Sequence, residues 1–546
     1  MRRKRCRLNV HPRRRSRPGR YNFCGHSSPL LLTRMQAMQR RHFIGALPVA
    51  LAATAVPAAL ANPPATPVYK TSVNAIDFGV VADGGLVDGT DNTAAMTQAI
   101  NYCIEHELEL ILPAGDIDLR GGLVIAPING GDALKISGVD AGSQGSRLWI
   151  KADAPALTIK TQCTLENFGI IGDAVQVGGR GQQDGVLLYG VKLNAQGENQ
   201  GIGNIYLRNI VFDRCQNSIH LFGIVFYSYF ENIRWFSCVN AHVNGAGDPA
   251  RDKPGYAVAF LQCQMTPPSG KYGFYLENAG SVVLSDCALS PAKLSEQCFR
   301  LVSNASLSGI HQIDNTVFEG SVKEALRIDG LGTPCRFMFF SNCYFNQSGA
   351  TADAITLVNA EHMYFSNCYI SGTNAGVTFL GRAKKISLTN CEFQIAGSVP
   401  VIRTLPGAAV HGLDIVAPNY DGAQRFLELG NAVVGEISRI HVLGGVLGVN
   451  PSPVNCQPQD ANKVMILNTN NIQTRGGGTA SFSGGTSLFT IGHGLLGKPS
   501  KFSVVPGNAA AGDAEIRWVE ADSGFIRVQC KSVASSETRW VWNAET

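Results

Sequence analysis

The chain has 546 residues, more than one ordinary compact core supports, so it holds either several domains or a repeat. Hydrophobic residues make up 45%, charged residues only 16%, and there are 60 glycines, a balance that fits an all-β protein better than a helical one. The net charge of +5 misleads: residues 1–41 hold 12 Arg and one Lys of the 46 basic residues, so the rest carries 33 against 41 acidic residues, a net of −8, and shows no nucleic-acid patch.

The leader "QRRHFIGALPVALAATAVPAALANPP" has an arginine pair, a soft apolar run and a small-x-small site at Ala59-Leu60-Ala61. It resembles a twin-arginine signal peptide, with Arg40 and Arg41 as the pair. The expectation is a leader over 1–61, a true start at Met35 or Met38, and a periplasmic or secreted product. Two prolines in the run and the cleavage site argue against a stable membrane span.

Next comes "NAIDFGVVADGGLVDGTDNTAAMTQAI" (Asn74 to Ile100), with Asp77, Asp83, Asp88 and Asp91. The run from about Asn92 to Glu105 predicts a helix with Asp91 or Thr90 as N-cap. The aspartates lack the spacing of an EF-hand, so they read as loop and cap residues; a calcium ion is not indicated, and no cofactor or metal is expected.

Three segments then repeat: "FSNCYFNQ" at 340, "FSNCYISG" at 365 and "LTNCEFQI" at 388, with weaker copies at Asn167, Asn209, Asn232, Asp286 and Asn315. This spacing, with alternating apolar residues inside each repeat, predicts a β-solenoid. Asn suits the left-handed residue of a tight turn, and its amide can bond to the Asn of the next coil. The Cys that follows reads as a buried stack; no CxxC motif occurs.

Asp77-Phe78-Gly79, Asp83-Gly84, Asp88-Gly89, Asp91-Asn92-Thr93-Ala94-Ala95 and the following "LPAGDIDL" resemble the opening of the pectate-lyase-like right-handed β-helix superfamily, which includes rhamnogalacturonase- and epimerase-type domains and tailspikes. The resemblance covers roughly 72–450. It implies an all-β, right-handed, single-stranded parallel β-helix over 62–470, with the first helix capping its open end. It also implies a polysaccharide substrate in a cleft lined by one sheet.

Alternation along that sheet selects outward positions. Taking Ile219, Leu221, Ala241, Val243, Phe274, Leu276, Phe299, Leu301, Leu326 and Ile328 as inward leaves His220, His242, Tyr275, Glu277, Arg300, Arg327 and Asp329 outward. Glu277 and Asp329, two coils apart, are a candidate acid/base pair, and His220, His242 and Tyr275 are candidate proton carriers. Arg300 and Arg327, with His220, are candidate substrate binders suited to a uronate carboxylate. The insertion Asn244 to Phe260 interrupts the repeat beside them and adds Asp248, Arg251 and Tyr256. Asp184, in a glycine-rich turn nearby, is a weaker candidate. The competing reading of every one of these residues is a solvated sheet face.

After Asn471 the sequence predicts a Gly/Ser/Thr linker over 471–487 and a small β-sandwich-like domain over 488–546. This resembles the terminal module of tail-fibre proteins, which implies oligomerisation, such as a homotrimer, or carbohydrate contact. Gly492-His493-Gly494 spells a polygalacturonase motif, but it lies beyond the helix and reads as a strand–turn element. The expected function is cleavage of a polysaccharide by lyase or hydrolase chemistry. The alternatives are an epimerase and a non-catalytic adhesin or tailspike-like solenoid.

Overall fold

The computed structural model describes residues 71–546 except 130–131, 174–182, 198, 244–256, 267–270, 290–293, 304–308, 348, 350, 451, 470–474, 494, 496–497, 523 and 546. Arg40, Arg41, Ala59 and Ala61 of the leader, and Asp248, Arg251 and Tyr256 of the insertion, lie outside the described residues.

From Ser72 to Leu467 the chain winds into a parallel β-solenoid of about 12 turns. The strand Tyr272–Glu277 pairs in parallel with Phe299–Ser303, which pairs with Leu326–Gly330, and so on through Ile355–Ser366, Val377–Thr389 and Ile402–Thr404. At a recurring place in each coil the chain turns through a residue in the left-handed conformation. Asn167, Asn209, Asn232, Asn315, Asn342, Asn367 and Asn390 all do so, with φ between 45° and 63°, and Gln262, Asp286, Ala417, Gly444 and Asn468 fill the corresponding place in other coils. The amides join coil to coil: Asn209 Nδ2 donates to Asn167 Oδ1 at 2.9 Å, and Asn232 Nδ2 to Asn209 Oδ1 at 2.7 Å.

The inward positions form one continuous core. Phenylalanines stack along it, with Phe340 over Phe365 at 4.7 Å between centroids and Phe318 over Phe345 at 5.1 Å. Each such side chain contributes roughly 2–3 kcal/mol by leaving water. Cys263, Cys287, Cys343, Cys368 and Cys391 follow the turn residue and are buried; all thirteen cysteines of the described residues are free thiols. No helix among the described residues is long and apolar enough to cross a membrane.

The opening aspartates hold a loop together. Asp83 accepts the Thr90 N–H and hydroxyl, both at 2.8 Å. Asp118, fully buried, accepts the N–H groups of Gly85 (2.9 Å) and Gly89 (2.8 Å), while Lys151 pairs with Asp88 at 3.2 Å. The helix runs Thr93–Glu105 and buries Met96, Ala99, Ile100, Cys103 and Ile104 in the same core as the first coils. Its N-cap position is Asn92, not Asp91 or Thr90. The Asn92 amide turns back to bond both the N–H and the carbonyl of Val81, so Asp91 reaches over it to accept the Thr93 N–H at 3.0 Å.

Beyond the solenoid lie two three-stranded antiparallel sheets with their own core around Phe489, Ile491, Ile526, Val528 and Trp540. Within the span read as linker, Arg475–Phe482 is a strand paired along its whole length with Thr538–Glu545. His493 is buried there: its Nδ1 accepts the Leu495 N–H and its Nε2 donates to the Asp522 carbonyl, both at 3.0 Å. It is a turn residue with both nitrogens used.

Candidate functional site

Strand pairing fixes which residues stack on the outer face. One row runs His220, Val243, Tyr275, Arg300, Arg327, each directly in register with the next. A second row holds Glu277, Val302 and Asp329. Six of the seven outward candidates therefore fall in two adjacent rows on the middle coils, at the ordinary strand spacing of about 4.8 Å per coil.

His242 departs from the expectation. It is in register with Ile219 and Phe274, two fully buried residues. The start of that strand pairs Asn240 with Asn217, which sets this register.

Asp329 departs in another way. It is 1% exposed although it belongs to an outward row. Two guanidinium groups cover it: Arg300 Nε donates at 2.9 Å, and Arg327 Nε lies 2.8 and 3.0 Å from the two carboxylate oxygens. A carboxylate held in this way is the hub of an ion-pair cluster and is not free to serve as an acid or base, so the Glu277–Asp329 pair loses one member.

The cluster extends through residues the sequence reading left out. Glu324 accepts from Arg327 Nη1 and Gln297 Nε2, each at 2.8 Å; burial pushes its pKa up, but these donors hold it below the ordinary value. Burial also works against the charge on Arg300, and Asp329 and the Tyr272 hydroxyl (3.4 Å from Nη1) more than offset it. Arg403 grips Asp353 at 3.0 and 3.2 Å across two coils. Glu296, Arg300, Lys323, Glu324, Arg327 and Asp353 line a cleft of about 420 Å³.

Tyr275 lies under Arg300, with the guanidinium carbon 5.8 Å from the ring centroid. Burial and the nearby Glu277 raise its pKa, so at neutral pH it is a phenol that can donate a proton and not a base. His220 is differently equipped. Its Nδ1 lies 2.7 Å from Asp184 Oδ2, and among the described residues no partner reaches Nε2. Beside it, Phe222 and Tyr189 stack at 5.3 Å with Lys160 over the Tyr189 ring.

Asp184, Glu324 and Asp353 share a signal that was present in the sequence. Each stands two residues before the first inward residue of its strand, as do Gln297, Asn217 and Tyr272. Counting alternation only within strands passes over this row.

No family model and no curated protein sequence matches the chain. Solved structures that resemble it include the A-module of the mannuronan C-5 epimerase AlgE4 of Azotobacter vinelandii, at 10% identity and a TM-score of 0.46 over 63% of this chain and 95% of that one. The Agl-KA catalytic domain gives 16% and 0.45 over 64% and 69%. The tailspike gp49 of Pseudomonas phage LKA1 gives 13% and 0.36 over 86% and 99%. At these identities and TM-scores the likeness carries no chemistry from one protein to another.

Proposed function

We propose that the protein binds a polysaccharide along this outer face and cleaves its glycosidic bonds, with β-elimination on a uronate-containing chain ahead of hydrolysis. One observation carries the reading: a proton acceptor (His220), a neutral phenol (Tyr275) and cleft-lining guanidinium groups (Arg300, Arg327) stand in one row of stacked strands. A coil rise is close to the length of one sugar unit, so a saccharide chain laid along the axis meets these groups in succession. A guanidinium carries five N–H groups, and Asp329 engages only part of those on Arg300, leaving donors for a uronate carboxylate. His220 and Arg300 stand three coils apart, so Arg300 anchors one uronate of the chain while His220 takes the C–H proton beside the carboxylate of another; the electron pair becomes the new C=C bond as the glycosidic C–O bond breaks, and the departing oxygen takes a proton from water.

The test is a panel of uronate and neutral polysaccharides incubated with the full chain. The expected result is rising absorbance from unsaturated products on a uronate polymer. His220→Ala should lower kcat/KM by about a hundredfold or more. Arg300→Lys keeps the charge, loses the planar fork and should raise KM. New reducing ends without unsaturation would move the reading to hydrolysis.

A second reading, a non-catalytic saccharide-binding solenoid, is favoured by the ion pairs themselves: Arg300, Arg327 and Arg403 already have carboxylate partners. Saturable binding with no product of either kind selects it.

A further inference from the structure

We propose that a polar ladder spanning four coils fixes His220 as the Nδ1–H tautomer, leaving Nε2 as the proton acceptor, and that Asp184, Asn217 and Asn240 are positioning residues for it. The ladder has a forced direction. At one end the main-chain N–H of Tyr272 can only donate, and it points to Asn240 Oδ1 at 3.2 Å. Asn240 must therefore turn its Nδ2 onward, and it donates to Asn217 Oδ1 at 2.7 Å. Asn217 Nδ2 in turn donates to Asp184 Oδ1 at 2.7 Å. The carboxylate at the other end only accepts, so Asp184 Oδ2 takes a hydrogen from His220 Nδ1, again at 2.7 Å.

Asp184 and Asn240 are nearly buried, which leaves water little room to take over a rung. The backbone that carries Asp184 is itself held: Gln183 Nε2 donates to the carbonyls of Ile150 and Ala152, and the Asp184 carbonyl accepts the Ala156 N–H. The same Tyr272 that starts the ladder accepts from Arg300 through its hydroxyl, so the ladder joins the ion-pair cluster to the imidazole. The catalytic use of this tautomer rests on the proton transfer proposed above; the tautomer itself does not.

Nitrogen NMR of the full chain, labelled with 15N-histidine and assigned by comparison with His220→Gln, reads the tautomer directly. Wild type should show Nδ1 protonated and Nε2 bare at pH 8. Asp184→Asn separates a directed ladder from an isolated pair. Asn217 still offers Nδ2, so the new amide must present its oxygen there and its NH2 to His220, and the tautomer should switch to Nε2–H. Product formation should then fall at least a hundredfold with saccharide binding retained. Adding Asn217→Ala to Asp184→Asn lets the amide turn over and should restore a mixture. An Nε2–H tautomer in the wild type, or an unchanged tautomer in folded Asp184→Asn, overturns the proposal. Should Asp184→Asn fail to fold, the wild-type spectrum still decides. If no polysaccharide is cleaved, the function proposed above fails while the tautomer readings stand.

Discussion

Single residues in this protein are defined by what stacks against them. Asp329 and His242 show this from opposite sides. Both looked like outward chemistry; one is sealed under two arginines and the other shares a row with buried Ile219 and Phe274. Alternation alone could not reveal either, because ion pairing and register are set between coils that lie more than twenty residues apart in sequence. His311 is a further case. It is fully buried, and among the described residues neither ring nitrogen finds a partner; burial lowers its pKa from 6.5 to about 4. The unfolded chain thus takes up a proton near pH 6.5 that the folded chain refuses, so this shift costs nothing above that pH and destabilises progressively as pH falls towards 4. The loss reaches about 3 kcal/mol at the acid end. In denaturant titrations at pH 7.5, 5.5 and 4.5, His311→Leu should gain on the wild type as pH falls. An equal difference at all three would contradict this.

At the scale of the element, the turn is the part most plainly written in the sequence. The recurring Asn announces a left-handed residue, and every one named in the repeats has that conformation, with Asp286 in the same role. The row two residues ahead of each first inward residue was equally periodic, but its members are Asp, Asn, Tyr, Gln and Glu, so no single letter recurs to reveal it. The turn's energetics can be divided. Asn232 has φ of 50° and donates to Asn209 at 2.7 Å. Asn232→Ala removes the bond and leaves a Cβ in an unfavourable backbone region, a cost of about 2 kcal/mol. Asn232→Gly removes the bond alone and should cost about half as much. Thermal midpoints of the two variants should differ in that order; equal midpoints would mean the backbone conformation carries no strain.

For the whole molecule, each coil rests on its two neighbours, so stability is close to a sum of coil and contact contributions. The same in-register stacking has a chemical consequence for the thiols. Cys343, Cys368 and Cys391 lie beside one another on successive coils, because the residues after them pair directly. Their backbones are about one strand spacing apart, within the Cα range of about 4.4–6.8 Å that a disulfide needs. Once folded they are sealed from solvent, and the hydrogen bond with the neighbouring Cys343, together with burial, raises the Cys368 thiol far above the range in which it would ionise. Before folding, no such barrier exists. Native protein should therefore resist oxidised glutathione, whereas chain refolded from denaturant in its presence should accumulate crosslinks seen by mass spectrometry and fail to recover its midpoint; recovery in full would refute this. The thiols thus record the order of two events, closure of the coils and first contact with an oxidant, and only one order yields the protein described above.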